Sequence, residues 1–599
     1  MNKHFYNIIK NMRLTKMVAI IAPLTLGGLG SGLLTSCNDF LTIYPTDRIV
    51  GTDFWKTKAD VNQMVDGAYS SMLSGNIQER AIMWGAFRSD ELVKNTDFSS
   101  TALDNVSAVN LLPTMGYCSW GGFYSVINRC NIVLRHAPEV MQEDPEFTQG
   151  DYDVVRAQML ALRSLCYFYL VRAFRDVPYV TQSYEDDSQI NEVAQSSAGE
   201  VLQNCLNDLE EASKYIMKSG GYGQNDWRNW GYMTRDAVYA LMADIYLWRA
   251  SMTHDRSDYQ QVVTLADRII QAKDDYYNAY HTNNVSAGDE EDIYHLYTGS
   301  LAQSQIFVTG NSSESILEWQ YNGRNNSNET LENYYYHEKE DKTSSMVMAS
   351  PIFNAVAINA NTSQGKKAFY STNDYRFWNV VYNANNEEAE QLPIRKMVDN
   401  SSMTISPLST TGAPKTDTRN YKEFRQNWIV YRITDIMLMK AEALLELADE
   451  SDRVAQKAAF DLVEVVNKRS MLTSASDLLK FDDFATKSAL ELLILAERER
   501  ELCFEGKRWF DLVRYCYRHM NGVNIYQKMG DASNWPALYA PMTELLGRKS
   551  TENGQGSAIA IKMKTEPYLY WPVQESEMKV NSLLKQNPVW IQEKTSEKS

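Results

Sequence analysis

The strongest constraint on the fold is a set of apolar residues that recur at helical spacing. Val155, Met159, Leu162, Cys166, Tyr169, Leu170 and Phe174 fall on one face of a single long helix. Val238, Leu241, Met242, Ile245 and Trp248 form a second stripe, and Ile433, Ile436, Met437, Leu444 and Leu447 a third. Each is followed by another helical stretch, at about 197–217, 259–273 and 453–469, so the helices come in pairs of tetratricopeptide length. An opening pair is drawn from about 59–73 and 120–136. A helix with one apolar face must bury that face, and stacked hairpins do so by packing each pair on the next. The expected fold is mainly α: a tetratricopeptide-like helix-pair scaffold with a large loop-rich insertion carrying short strands.

The insertion occupies 275–427 and is rich in Asn, Ser, Thr and Tyr. Within it 315–321 alternates enough for a short strand, and Gly310, Gly323, Gly365 and Gly412 punctuate loops. Loops on a rigid helical base are where binding residues concentrate, which makes the insertion the candidate ligand face. The expected organisation is a signal over 1–36, an amino-terminal helix-repeat region over 37–274, the insertion over 275–427, and a carboxy-terminal region with the fourth pair over 428–599.

The amino terminus carries Lys3, Lys10, Arg13 and Lys16, then a largely uncharged stretch from Met17 to Leu34 that ends Leu34-Thr35-Ser36-Cys37. This is the order of an export signal with a lipobox, in which the Cys37 thiol takes up lipid and cleavage makes that residue the new amino terminus. The alternatives are a secreted protein with a chance cysteine and an uncleaved anchor; the Gly-rich run from Gly27 to Gly32 suits a signal better than a spanning helix. No other apolar run reads as long enough to cross a bilayer.

Removing the signal leaves 55 basic against 76 acidic residues, a net charge of −21. So acidic a chain, without a basic stripe, excludes nucleic acid as a partner. Cys118, Cys130, Cys166, Cys205, Cys503 and Cys516 form no close metal-type cluster in sequence. Cys118 and Cys130 could pair in an oxidising compartment, whereas Cys166 and Cys205 occupy helical apolar positions that suit small buried thiols.

Five segments in order resemble the SusD/RagB family, the surface glycan-binding lipoproteins of Bacteroidetes. They begin with Cys37-Asn38-Asp39-Phe40-Leu41 leading to Tyr44-Pro45, then Phe54-Trp55 and Ala68-Tyr69. Ser89-Asp90-Glu91 and Tyr124 through Asn131 follow, then a helix with Arg163, Tyr167, Phe168 and Leu170 that ends Phe174-Arg175-Asp176-Val177-Pro178. The most specific runs from Glu497 to Arg514, preceded by Tyr431-Arg432 through Glu442-Ala443, and the close is Tyr570-Trp571-Pro572-Val573 with Glu577, Asn581 and Gln586-Asn587-Pro588. Arg175 departs from the pattern, which usually has Gly there. The resemblance implies a non-catalytic receptor, lipid-anchored at the outer membrane and facing outward, that passes oligosaccharide to a SusC-like TonB-dependent transporter.

Sugars bind by stacking their C–H faces on aromatic rings while polar side chains take the hydroxyls. The candidates are Trp84, Asp90 and Trp120 near the first repeats, with Tyr335, Tyr375 and Trp378 from the insertion. Each has a structural alternative: the spacing of Trp120 to Phe123 and Tyr124 fits a buried helix face, Asp90 suits a turn, and Trp319 suits core. Tyr334-Tyr335-Tyr336 lies in a polar stretch where at least one exposed ring is expected, and Trp378, within Asp374 to Asn379, is the leading choice.

No HExxH, GxSxG or Gly-rich phosphate loop is present, and His337-Glu338-Lys339-Glu340-Asp341 lacks the second zinc histidine. A glycosidase stays open, since its paired carboxylates leave no local signature; a peptide- or protein-binding helical repeat is the other alternative. The charges of 497–514 fall at helical spacings, Glu497 to Arg500 and Arg498 to Glu501, and read as a clamp between the last helices. No cofactor is expected. Calcium at Gly288-Asp289-Glu290-Glu291-Asp292 is weighed against a plain solvated loop.

Overall fold

The computed structural model describes residues 54–185, 192–280, 293–323, 325–337, 345–356, 367–398, 424–472, 475–549 and 555–591. Cys37, the signal and the 288–292 run lie outside them.

All four helix pairs form. The first is α1 (Lys58–Ser71) on α2 (Gly121–Glu143), and the second is α3 (Gln149–Phe174) on α4 (Ala198–Tyr215). A four-residue helix, α5 (Arg228–Gly231), precedes the third pair, α6 (Arg235–Thr253) on α7 (Arg256–Tyr280). The fourth is α8 (Ile433–Leu447) on α9 (Arg453–Ser470). Successive pairs also pack on one another, α2 on α3, α4 on α6 and α7 on α8, so the stack is continuous although 150-odd residues separate α7 from α8.

Local chemistry marks the helix starts. Thr57 with Asp60, Thr148 with Asp151 and Ser197 with Glu200 form reciprocal capping boxes at α1, α3 and α4. Thr234 caps α6 through the Ala237 N–H. By length and composition α3 could cross a membrane, contrary to the sequence reading, yet 89% of its most apolar window is buried within the protein. It is the central core helix.

Three short antiparallel sheets tie the insertion to the stack. Strand β1 (Leu92–Lys94) pairs with β3 (Val347–Ala349), and β2 (Ser315–Trp319) with β4 (Trp428–Arg432). The third joins Val177–Pro178 to Gln195–Ser196. The strand expected over 315–321 is thus present, two residues shorter, with all five residues buried. Trp55 to Ser599 cluster as one unit, so the insertion and both flanking regions share a single core.

Two carboxy-terminal helices, α10 (Lys487–Leu502) and α11 (Arg508–Arg518), pack on α8 and α6 respectively. The turn between them presses on the stretch Met83–Phe87, where Gly506 has φ +72° and a Cβ on Gly85 would fall 1.8 Å from the Gly506 oxygen. Only glycine permits that backbone approach.

Candidate functional site

A cavity of about 480 Å³ opens where α1, α3, α5 and β2 meet. Its floor is apolar, formed by Met72, Leu73, Leu162, Leu165, Met233 and Leu317. Aromatic rings form its walls: Tyr69, Trp227, Tyr232, Trp319 and Tyr321. Asp66, Ser70, Gln320 and Asn322 bring polar groups to the rim. A largely apolar cavity of this size with a few convergent polar groups is the usual form of a small-ligand site.

The rings are positioned by hydrogen bonds from below. Tyr69 and Tyr232 stack with centroids 4.3 Å apart and planes at 10°. The Tyr69 hydroxyl donates to Gln158 Oε1 and accepts from the Met233 N–H at 3.0 Å, while Gln158 Nε2 donates to the Met233 carbonyl at 2.9 Å. The Tyr232 hydroxyl donates to Asp66. Trp227 meets Tyr232 edge-on, with centroids 5.4 Å apart, and is 49% exposed. One indole face is therefore open beside a fixed aromatic wall. Burial pushes the Tyr69 and Tyr232 phenols well up, the latter helped by its bond to Asp66, and Tyr222 behind them to about 12. All three stay neutral at any physiological pH.

The sequence-derived candidates lie elsewhere. Trp84 is 0% exposed, stacked on Phe123 and edge-on to Phe174, each at 5.3 Å, with its N–H donating to the Tyr117 carbonyl at 2.9 Å. Trp120 is buried against Phe174 and Tyr124. Tyr335 is buried and donates to the Phe504 carbonyl at 2.9 Å; Tyr334 and Tyr336 are buried too, against the expected exposed ring. Trp378 is 8% exposed, its N–H on the Thr372 carbonyl at 2.9 Å. Tyr375 is half-buried, its ring against Gly299. Asp90 is buried between Arg508, at 2.9 Å, and Arg548. Protein atoms occupy the faces on which the five buried groups would have met a sugar. Trp319, read as core, is buried yet lines the cavity.

Trp227, Tyr232 and Asp66 were not singled out from sequence, and Tyr69 entered only within the Ala68-Tyr69 segment of the resemblance, not as a ligand contact. A signal existed for the first: Gly220-Gly221-Tyr222-Gly223-Gln224-Asn225-Asp226-Trp227 is a turn-rich polar loop, where a tryptophan has little core to join.

The charged segment from 497 to 514 is buried structure. Glu497 pairs with Arg500 at 2.8 Å as its spacing predicts, and with Arg376 at 2.7 Å. Arg498 departs from the expected Glu501 pairing and reaches Asp435 and Asp511, both at 2.9 Å. Glu501 instead takes Arg376, Arg432 and Arg469, and these hold its carboxyl well below the usual range against the opposing push of burial. The six cysteines among the described residues are unpaired and buried, so Cys118 and Cys130 do not bridge; burial lifts both thiols to about 12. Among the described residues no group of three His, Cys, Asp or Glu side chains is placed to hold a metal ion.

Residues 217–590 match the family model described as the SusD family. The chain belongs to the SusD family. Residues 39–247 also match a family described as "starch-binding associating with outer membrane". Among curated relatives, SusD-like protein P38 of Formosa agariphila is 27% identical over 510 residues, 81% of this chain and 89% of the relative. Among solved structures, a SusD superfamily protein of Bacteroides thetaiotaomicron aligns with TM-score 0.59 and 21% identity, over 90% of this chain and 99% of its own. Another from Bacteroides vulgatus aligns with TM-score 0.62 and 17% identity, over 90% and 100%. These structures share the helical fold. The SusD family is associated with carbohydrate binding beside SusC-type transporters at the outer membrane, at the level of the family as a whole.

Proposed function

We propose that this SusD-family protein binds oligosaccharide without cleaving it and delivers it to a SusC-like TonB-dependent transporter of the outer membrane. The observation that carries the reading is the open indole face of Trp227 beside the Tyr69–Tyr232 stack, with Asp66, Gln320 and Asn322 at the rim. A pyranose stacks its C–H face on such a ring and gives its hydroxyls to the rim. The loop-rich insertion contributes Leu317 and Trp319 to Asn322, and the amino-terminal half supplies the rest.

Non-catalytic binding suits the wall. Glycoside hydrolysis uses two carboxyl groups about 5–9.5 Å apart across the scissile bond, and among the described residues Asp66 is the one carboxylate lining this cavity. Lipid attachment at Cys37 would tether the protein at the cell surface over its transporter.

Titration of the purified protein against a panel of neutral and acidic oligosaccharides tests the reading, with Trp227→Ala as control. Loss of the indole should weaken any bound glycan at least about tenfold, the scale of one well-made stacking contact. Binding unchanged in Trp227→Ala, or released product on incubation, would defeat it. Separately, Cys37→Ala should leave glycan binding intact and release the protein from the membrane fraction.

A further inference from the structure

Among the described residues that line the cavity, Asp66 is the one with a charged side chain; the other polar contributors are hydroxyls and amides. The carboxylate is exposed, makes no ion pair among the described residues, and accepts a single side-chain hydrogen bond, from the Tyr232 hydroxyl. The neighbouring cations among the described residues do not offset it. Arg228, next to Trp227, is held by Asp226 through Nε at 3.0 Å and Nη2 at 2.7 Å, and its guanidinium lies over the Tyr222 ring. Arg129 approaches the α1 backbone, its Nη1 3.9 Å from where a Gly67 Cβ would stand, yet it neither lines the cavity nor pairs with Asp66.

An acidic sugar entering this space would lose hydration against an apolar floor and find no cation among the described lining residues. It would also meet a like charge at the rim, a repulsion that salt screens. A neutral sugar hydroxyl instead finds in Asp66 an ionised acceptor, which makes a stronger hydrogen bond than a neutral one.

We infer that the pocket selects uncharged glycans and rejects uronates and sulfated sugars, with Asp66 as the residue that sets this preference. The inference rests on the glycan reading of the same cavity, and two variants separate the two claims. Asp66→Asn removes the charge while its amide oxygen still accepts from Tyr232; Trp227→Ala removes the platform and keeps the charge.

The measurement is a set of titrations with matched pairs of oligosaccharides, neutral and with the same units as uronates or sulfate esters. For the wild type, the neutral member of each bound pair should be favoured by at least about tenfold. In Asp66→Asn that ratio should shrink about fivefold or more, by gain of the acidic member. Added salt should narrow the wild-type ratio and leave the variant's nearly unchanged. Equal wild-type affinity for both members, or an unchanged ratio in Asp66→Asn, overturns the inference while loss of binding in Trp227→Ala keeps the glycan reading. Binding unaffected by Trp227→Ala, or no glycan bound at all, overturns both.

Discussion

The indole of Trp227 rests on Gly231: a Cβ there would come within 2.8 Å of the indole Cε3 and 2.7 Å of Gln320 Cγ. The glycine at the end of α5 is what lets a half-exposed tryptophan lie flat at the mouth of the cavity.

Gly231→Val should therefore act on binding before stability. The added side chain displaces the half-exposed Trp227 and presses on Gln320, whose amide donates to Asn311 at 2.8 Å, so glycan affinity should fall about three- to tenfold, matching ~0.5–1.5 kcal/mol of lost aromatic contact. The melting temperature should move little. Calorimetric titration beside a thermal melt separates the two; a large melting loss with unchanged affinity would place the glycine in the core.

Arg175 sits at φ +68°, where the Asp176 N–H donates to the Phe174 carbonyl at 3.0 Å in a tight γ-turn that ends α3. Its buried guanidinium offsets the strain, donating to Glu566 at 2.8 Å and to the Gln527 and Asn524 carbonyls, each at 2.8 Å. Both Arg175→Ala and Arg175→Gly leave Glu566 without its guanidinium partner, at about 3–5 kcal/mol. Glycine also relieves the backbone, so denaturant unfolding should find Arg175→Gly more stable than Arg175→Ala by about 1 kcal/mol. Equal stabilities would show the turn to be unstrained.

Arg508 donates to Asp90 at 2.9 Å and pairs with Glu499 at 2.8 Å, and Arg548 reaches both carboxylates. In Arg508→Ala one guanidinium is left for two buried anions. Because Arg548 remains, the loss should fall near the lower end of the ~3–5 kcal/mol typical of breaking a buried pair. Thermal melting should drop by several degrees with glycan affinity unchanged below the transition. An unchanged melt with lost binding would contradict the structural role.

Glu442 is held by Arg514 Nε and Nη2, each at 3.0 Å, and by Arg518. Burial pushes its pKa up, but Arg514 and Arg518 outweigh it and bring the carboxyl from 4.5 to about 2. The unfolded chain thus takes up this proton first as pH falls. Stability from the group is complete above about pH 4.5 and is lost progressively down to about 2, on the order of 3 kcal/mol. Glu442→Gln should unfold more easily at pH 7 and show a flatter pH dependence of stability between pH 5 and 3. An acid transition as steep as the wild type's would place the titration elsewhere.

Reading of the chain succeeded where structure is local. The stripe from Val155 to Phe174 specifies its own helix, since its period needs no distant residue, and Thr148 with Asp151 marks its start. Ordered motifs such as 497–514 carried the family. The charges of that segment were legible as a clamp, though Arg498 took Asp435 and Asp511, residues brought near by α8 and α11.

By itself the sequence determined the helix pairs, their order and the family, because periodicity, caps and motifs are written within short stretches of chain. Which aromatic rings meet solvent was decided only by the tertiary structure. Tyr335 is covered by Phe504 and Trp84 by Phe123 and Phe174, whereas Trp227 stays open on a loop whose wall comes from α1, α3 and β2. Burial depends on the neighbours that packing brings together, so residues of one type, equally plausible in sequence, were divided by the fold into core and binding face.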